Sequence, residues 1–116
     1  MIDICYSKLK KNLEVDLDDQ KQLNTIHINE VSDLIICSDV IEHVLYPDIL
    51  LQFIKKLSNK NTIIIISTSE RDIERGKENM KSKKSEHVRE WNKNEFNKYI
   101  SYMGFNILEH TLVDKS

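Results

Sequence analysis

Two uninterrupted apolar runs predict the central strands of the protein. Residues 34–37 are Leu-Ile-Ile-Cys, and residues 63–66 are four consecutive isoleucines. Neither run alternates with polar positions, which is typical of short strands that a sheet buries on both faces. Weaker apolar segments at residues 13–16 and 105–113 predict an opening and a closing strand.

Helical spacing follows the first of these runs. Pro47 suits the first position of a helix, and Asp48 complements the helix dipole there. The apolar residues after them recur every three or four positions, as on one face of a helix: Leu50, Phe53, Ile54 and Leu57.

The last third of the chain carries signals for both ends of a second helix. Asn92 and Glu95 have the spacing of a capping box, and Gly104 stands where a left-handed helix cap is expected. Between them lies one apolar helical stripe, formed by Phe96, Tyr99, Ile100 and Met103.

Strands that alternate with helices predict an α/β fold with a mostly parallel sheet. The runs at 34–37 and 63–66 should be parallel neighbours, joined by a right-handed crossover through the first helix. We expect residues 13–16 either to pair directly beside residues 34–37 or to be poorly ordered. The charged residues 69–86 predict an exposed loop within a single domain, residues 1–116.

Composition excludes several classes of protein. The 17 basic and 19 acidic residues give a net charge of -2, so no excess of positive charge is present to bind nucleic acid. The apolar runs are too short to cross a membrane. Cys5 and Cys37 form neither a disulfide framework nor a metal-ligand spacing, which predicts a cytoplasmic protein. Gly76 and Gly104 lie too far apart for a glycine-rich nucleotide loop.

Candidate chemistry lies after the strands, because open parallel sheets bind ligands beyond the carboxyl ends of their strands. The second strand is followed by an acid, an acid and an imidazole within one turn: Asp39, Glu42 and His43. Such a group can hold a divalent ion, orient a base or cap the next helix. Further polar clusters follow the first and third strands, at residues 16–19 and 67–70.

The segment of residues 32–44 resembles the fourth-strand motif of class I S-adenosylmethionine-dependent methyltransferases. The motif ends in Asp-Val-Ile-Glu-His at residues 39–43, and Pro47 starts the helix after it. The resemblance covers residues 13–113. It implies a Rossmann-like sheet, S-adenosylmethionine as the cofactor and methyl transfer as the reaction.

Two later segments resemble one subgroup of that family more closely, a subgroup found beside glycosyltransferases in surface-glycan pathways. They are Ser-Thr-Ser-Glu-Arg-Asp at residues 67–72 and His-Val-Arg-Glu-Trp at residues 87–91. The resemblance implies O-methylation of a sugar, a glycan or another small molecule.

The same resemblance implies which residues bind the cofactor. Asp16 and Leu17 match the segment that contacts the adenine, where the acid accepts a hydrogen bond from the exocyclic amine. Ser38 and Asp39 match positions that line the methionine part of the cofactor.

His43 and His87 match positions that face the acceptor. A histidine titrates near neutral pH and is therefore the candidate base when the acceptor is a hydroxyl. In some related O-methyltransferases an acid-x-x-Glu-His motif and a later histidine bind a divalent cation. Asp39 and Glu42 complete such a set here, but we expect no metal.

The resemblance also has gaps. The family's first strand, its glycine-rich loop and the acid that grips the ribose have no counterpart in the sequence. We therefore expect an incomplete sheet that binds S-adenosylmethionine only if the missing N-terminal half is supplied. Two hypotheses remain open: a methyltransferase fragment or half of a split enzyme, and a non-catalytic binding or regulatory subunit. Either should associate with a partner chain or a second copy at its exposed sheet edge.

Overall fold

The structure is a computed structural model that describes residues 2–6, 11–26, 31–71 and 88–113. No helix in these ranges is long and apolar enough to span a membrane. The elements, in chain order, are β1 (Ile2–Tyr6), β2 (Lys11–Val15), α1 (Gln20–Asn24), β3 (Leu34–Ser38), a 3-10 turn (Ile41–His43), α2 (Pro47–Lys56), β4 (Ile63–Ser67) and α3 (Lys93–Tyr102).

Strands β3 and β4 form a two-stranded parallel sheet. Their register runs from Leu34 opposite Ile63 to Ser38 opposite Ser67, and α2 lies between them in the chain. This confirms the α/β fold class and the predicted parallel pairing. The handedness of the crossover stays a prediction.

The two faces of this sheet differ in burial. Cys37 is buried, and the half-buried residues of the same face pack against the core to which α2 contributes Leu50, Leu51, Phe53 and Ile54. On the opposite face every strand residue before the terminal serines is exposed: Leu34, Ile36, Ile63 and Ile65. The prediction that both faces are buried is therefore wrong. Both runs are apolar throughout, but only one of their faces packs against the core.

The N-terminal strands form a separate antiparallel pair. Ile2 of β1 lies opposite Val15 of β2, and Tyr6 lies opposite Lys11. The strand predicted at residues 13–16 is thus present within β2, but it pairs with β1 and not with residues 34–37. Sequence patterns also missed α1, which begins after Asp19.

The predicted caps of α3 are confirmed. Asn92 and Glu95 form a reciprocal capping box, and Gly104 has a φ of 92°. The amide of Gly104 donates to the carbonyl of Ser101, and that of Phe105 donates to Ile100, which is a Schellman ending. Only glycine adopts this left-handed conformation without strain.

The closing strand predicted at residues 105–113 is absent from the structure. Phe105 and Ile107 pack against the core, so the apolar pattern is used for side-chain packing. Within the described ranges no strand pairs with this segment, and β4 pairs only with β3. A strand needs such a partner for its backbone hydrogen bonds.

The chain after β4 returns to α3 through a short parallel bridge. Glu70 pairs with Trp91, and the amide of Arg71 donates to the Trp91 carbonyl over 2.8 Å. Ser69, the first residue of the exposed loop predicted at residues 69–86, is buried, and the loop itself stays a prediction. Residues 72–86 lie outside the described residues.

Candidate functional site

The carboxyl ends of β3 and β4 are tied together by polar contacts. The hydroxyl oxygens of Ser38 and Ser67 lie 2.8 Å apart, and the Asp39 amide donates to the Ser67 carbonyl over 3.0 Å. Asp39 has a φ of 54°, a left-handed conformation that aspartate tolerates better than most residues. The two predicted methionine-side residues, Ser38 and Asp39, therefore lie at the same edge of the sheet, and both are exposed.

Glu42 is the buried acid of this edge. Only 1% of its surface is exposed, and its Oε2 accepts a hydrogen bond of 2.8 Å from the Thr68 hydroxyl. Its other oxygen, Oε1, lies 3.8 Å from Nε2 of His43, whose side chain is 37% exposed. The Asp39–Glu42–His43 motif thus splits into one buried acid and two solvent-facing side chains.

The backbone of Glu42 is hydrogen-bonded to the segment that precedes α3. Its carbonyl accepts hydrogen bonds from the amides of Val88, over 2.8 Å, and Arg89, over 3.3 Å. His87 itself lies outside the described residues, so its predicted approach to His43 stays a prediction.

Cys37 lies inward of the same edge. Burial and, to a smaller extent, the charge of Glu42 raise the pKa of its thiol from 9.0 to about 11. The thiol is therefore protonated at neutral pH. A protonated, buried thiol is a poor nucleophile.

The predicted adenine-side residues lie in a turn after β2. Asp16 is exposed and its carboxylate accepts from the Asp18 amide over 3.0 Å, whereas the Leu17 side chain is buried in the core. The Asp18 carboxylate in turn accepts from the amides of Leu45 and Tyr46, over 2.9 and 3.0 Å. These contacts bring the turn to the start of α2.

Sequence reasoning missed the roles of Asp18 and Thr68. Asp18 binds amides 27 and 28 residues further along the chain, and Thr68 binds a carboxylate 26 residues before it. Their positions in polar clusters after strands were the only available signal. Neither contact has a local sequence pattern.

A cavity of about 270 Å³ lies apart from the predicted site, along α3. Burial and, to a smaller extent, nearby Lys93 lower the pKa of His110. The Nδ1 atom of His110 lies 3.2 Å from the Asn97 amide nitrogen. None of the predicted site residues lines this cavity, whose walls are Lys93, Asn94, Asn97, Lys98 and His110.

Within the described ranges, no three His, Cys, Asp or Glu side chains are grouped so that they could hold a metal ion. Glu42 hydrogen-bonds Thr68 inside the protein, while Asp39 is exposed to solvent. The described members of the predicted ligand set therefore do not converge on one point.

Comparison with known proteins gives one match. A family model described as a methyltransferase domain matches residues 2–110, nearly the whole chain. No curated protein and no solved structure matches the chain. With its α/β fold and its polar edge at the carboxyl ends of two parallel strands, the chain belongs to the class I S-adenosylmethionine-dependent methyltransferase-like family.

Proposed function

We propose that the edge formed by the ends of β3 and β4 is the acceptor side of a site that transfers a methyl group from S-adenosylmethionine. The acceptor is a hydroxyl of a sugar, a glycan or another small molecule. One observation carries the proposal: in a chain of the methyltransferase family, Ser38 at the end of β3 lies opposite Ser67 at the end of β4, and Asp39, Glu42 and His43 follow β3 at that edge.

His43 is the base in this proposal. Its imidazole is partly exposed, so it can meet an acceptor, and it lies 3.8 Å from the buried Glu42 carboxylate. The hydrogen bond from Thr68 fixes that carboxylate. Methyl transfer is a displacement at a sulfonium carbon and depends mainly on alignment, while a base takes the proton of a hydroxyl acceptor. His87 is the second acceptor-facing residue proposed.

The residues of the chain fit only part of the cofactor. The exposed Asp16 carboxylate can accept from the adenine amine, and Ser38 and Asp39 can contact the methionine part. Leu17 can contribute only its backbone, because its side chain is buried. The two distant glycines of the chain cannot form the family's glycine-rich loop. In this proposal, that loop comes from polypeptide outside these 116 residues.

Calorimetric titration of the purified 116-residue chain with S-adenosylmethionine tests whether the chain lacks part of the cofactor site. Hydrogen bonds to charged groups contribute about 1.5–3 kcal/mol each, and about 1.4 kcal/mol is tenfold in affinity. Losing two such bonds together with the loop moves a micromolar site to about millimolar. Saturable binding in the low micromolar range would show that the chain needs no additional cofactor loop.

A second candidate function is a non-catalytic binding or regulatory subunit. The absence of glycines for a cofactor loop favours it. A methyl-transfer assay with labelled S-adenosylmethionine separates the two candidates, using the chain mixed with a polypeptide that carries the glycine-rich half.

If His43→Ala abolishes methyl transfer and His110→Ala leaves it unchanged, the result supports the catalytic proposal. His110 is the matched control because it lies at the separate cavity along α3. Cofactor binding by the mixture without any transfer would instead support the regulatory subunit.

A further inference from the structure

The parallel sheet has an apolar face that the described residues leave open to solvent. We call it the outer face, formed by Leu34, Ile36, Ile63 and Ile65. Each of these side chains is between 50 and 60% exposed. They form two cross-strand pairs, because Leu34 lies opposite Ile63 and Ile36 lies opposite Ile65. The outer face is therefore a compact patch with no charged member.

Parallel sheets are almost always covered on both faces. The inner face of β3 and β4 follows this rule, since it packs against the core that includes α2. Four Leu and Ile residues that are each about half exposed present on the order of 400 Å² of surface, within the range of the largest apolar patch on a monomer, which is often functional. Burying such a surface is favourable in proportion to its area.

We propose that a second copy of this chain covers the outer face, so that the protein forms a face-to-face dimer. A two-fold axis between two such sheets makes the contact self-complementary, with strands of one copy stacked on those of the other about 10 Å away. Because the outer face carries no charge, stacking two copies brings no like charges together.

The area of the outer face is that of a small, weak interface. Homodimer interfaces are about 65% apolar, so about 400 Å² of apolar surface corresponds to about 600 Å² of interface per copy. Two copies then bury about 1,200 Å², the lower limit for a specific interface. We therefore expect a reversible dimer with a dissociation constant in the micromolar range.

Sedimentation analysis of the 116-residue chain from about 0.1 to about 500 µM tests the dimer, since this range brackets a micromolar constant. The mean mass should rise from the 13.7 kDa of one copy towards twice that value, and added salt should not weaken the association. Ile36→Lys should weaken dimerisation at least tenfold. Tyr102→Lys is the matched control, because Tyr102 is 85% exposed on α3 and lies outside the outer face.

A second variant covers the case in which Ile36→Lys fails to fold. Ile65→Thr keeps a β-branched side chain at a strand position and should also weaken the dimer, while circular dichroism confirms the fold. A chain that remains monomeric at the highest concentration would overturn the proposal. Association unaffected by either folded variant, or growth beyond the dimer, would overturn it too and point to pairing at the strand edges.

Discussion

Glu42 is the residue that connects most parts of the candidate site. Its carboxylate accepts from Thr68 after β4, its carbonyl accepts from Val88 and Arg89, and its charge acts on Cys37 in β3. A carboxylate that is 99% removed from solvent requires such partners, because burying an unpaired charge is costly. Since the exposed fraction of Glu42 is 1%, these contacts stabilise it where water cannot.

Thr68→Val tests the hydrogen bond to this carboxylate. The substitution keeps the shape of the side chain and removes the hydroxyl donor, so a buried carboxylate oxygen loses the partner that Thr68 supplies. We expect the free energy of unfolding to fall by about 1–3 kcal/mol. Urea denaturation measures it, and Thr68→Ser, which retains a hydroxyl, should lose less. Equal stability of the valine variant and the original chain would mean that this bond contributes nothing.

Cys37 predicts how stability depends on pH. The folded thiol has a pKa of about 11, whereas the unfolded thiol titrates near 9.0, so above pH 9 the unfolded state loses its proton first. The raised pKa of Cys37 therefore stabilises the folded state fully below pH 9, and this stabilisation is lost as pH rises to about 11. Two pH units correspond to about 2–3 kcal/mol.

Urea denaturation between pH 8 and pH 11 should show this decline, and it should be shallower in Cys37→Ala. Tyr99 adds to it at the upper end, because burial and the hydrogen bond to Asp48 raise the pKa of its hydroxyl. Tyr99→Phe separates that contribution. A slope that neither variant changes would assign the decline to other groups.

At the scale of elements, the start of α2 depends on a distant side chain. Tyr46 precedes the first helical residue and makes no side-chain cap of its own. The Asp18 carboxylate, from the turn after β2, accepts both the Tyr46 and the Leu45 amides. One acidic side chain thereby joins the N-terminal segment to the helix that packs on the sheet.

Asp18→Ala should therefore destabilise the whole domain. The carboxylate makes two charge-assisted hydrogen bonds at a half-buried position, and their loss should lower the free energy of unfolding by about 1–2 kcal/mol. Asp18→Asn retains an acceptor oxygen and should lose less than half of that amount. Thermal and urea unfolding of the three proteins measures both effects. An asparagine variant as unstable as the alanine variant would show that the charge, and not the acceptor, matters.

At the scale of the whole molecule, one core holds the described elements together. It runs from Val15 of β2 and Leu17, through Cys37 and the residues of α2, to Phe96 and Ile100 of α3. The two sheets remain separate, one antiparallel and one parallel. The polar edge and the outer face both belong to the parallel sheet, so the candidate site and the proposed dimer interface share the same two strands.

The sequence by itself determined the elements whose signals are local. These signals are the two apolar runs, Pro47 at the start of α2, and the caps of α3 at Asn92 and Gly104. Each acts within about four residues, the length of one helical turn or one short strand. The alternation of strands and helices was enough to predict the parallel pairing of β3 and β4. The Asp-Val-Ile-Glu-His motif at residues 39–43 indicated the family.

Only the tertiary structure decided how those elements use their side chains. Strand periodicity cannot show that one face of an all-isoleucine run stays open, because that depends on what packs against it. The antiparallel partner of β2 and the loss of the strand at 105–113 depend on which backbone lies alongside. Glu42 points inward to Thr68 while its neighbour His43 faces solvent, because successive side chains of the 3-10 turn point in different directions. The contacts of Glu42 with Thr68 and of Asp18 with Tyr46 join residues that are 26 and 28 positions apart in the chain, which no local pattern could predict.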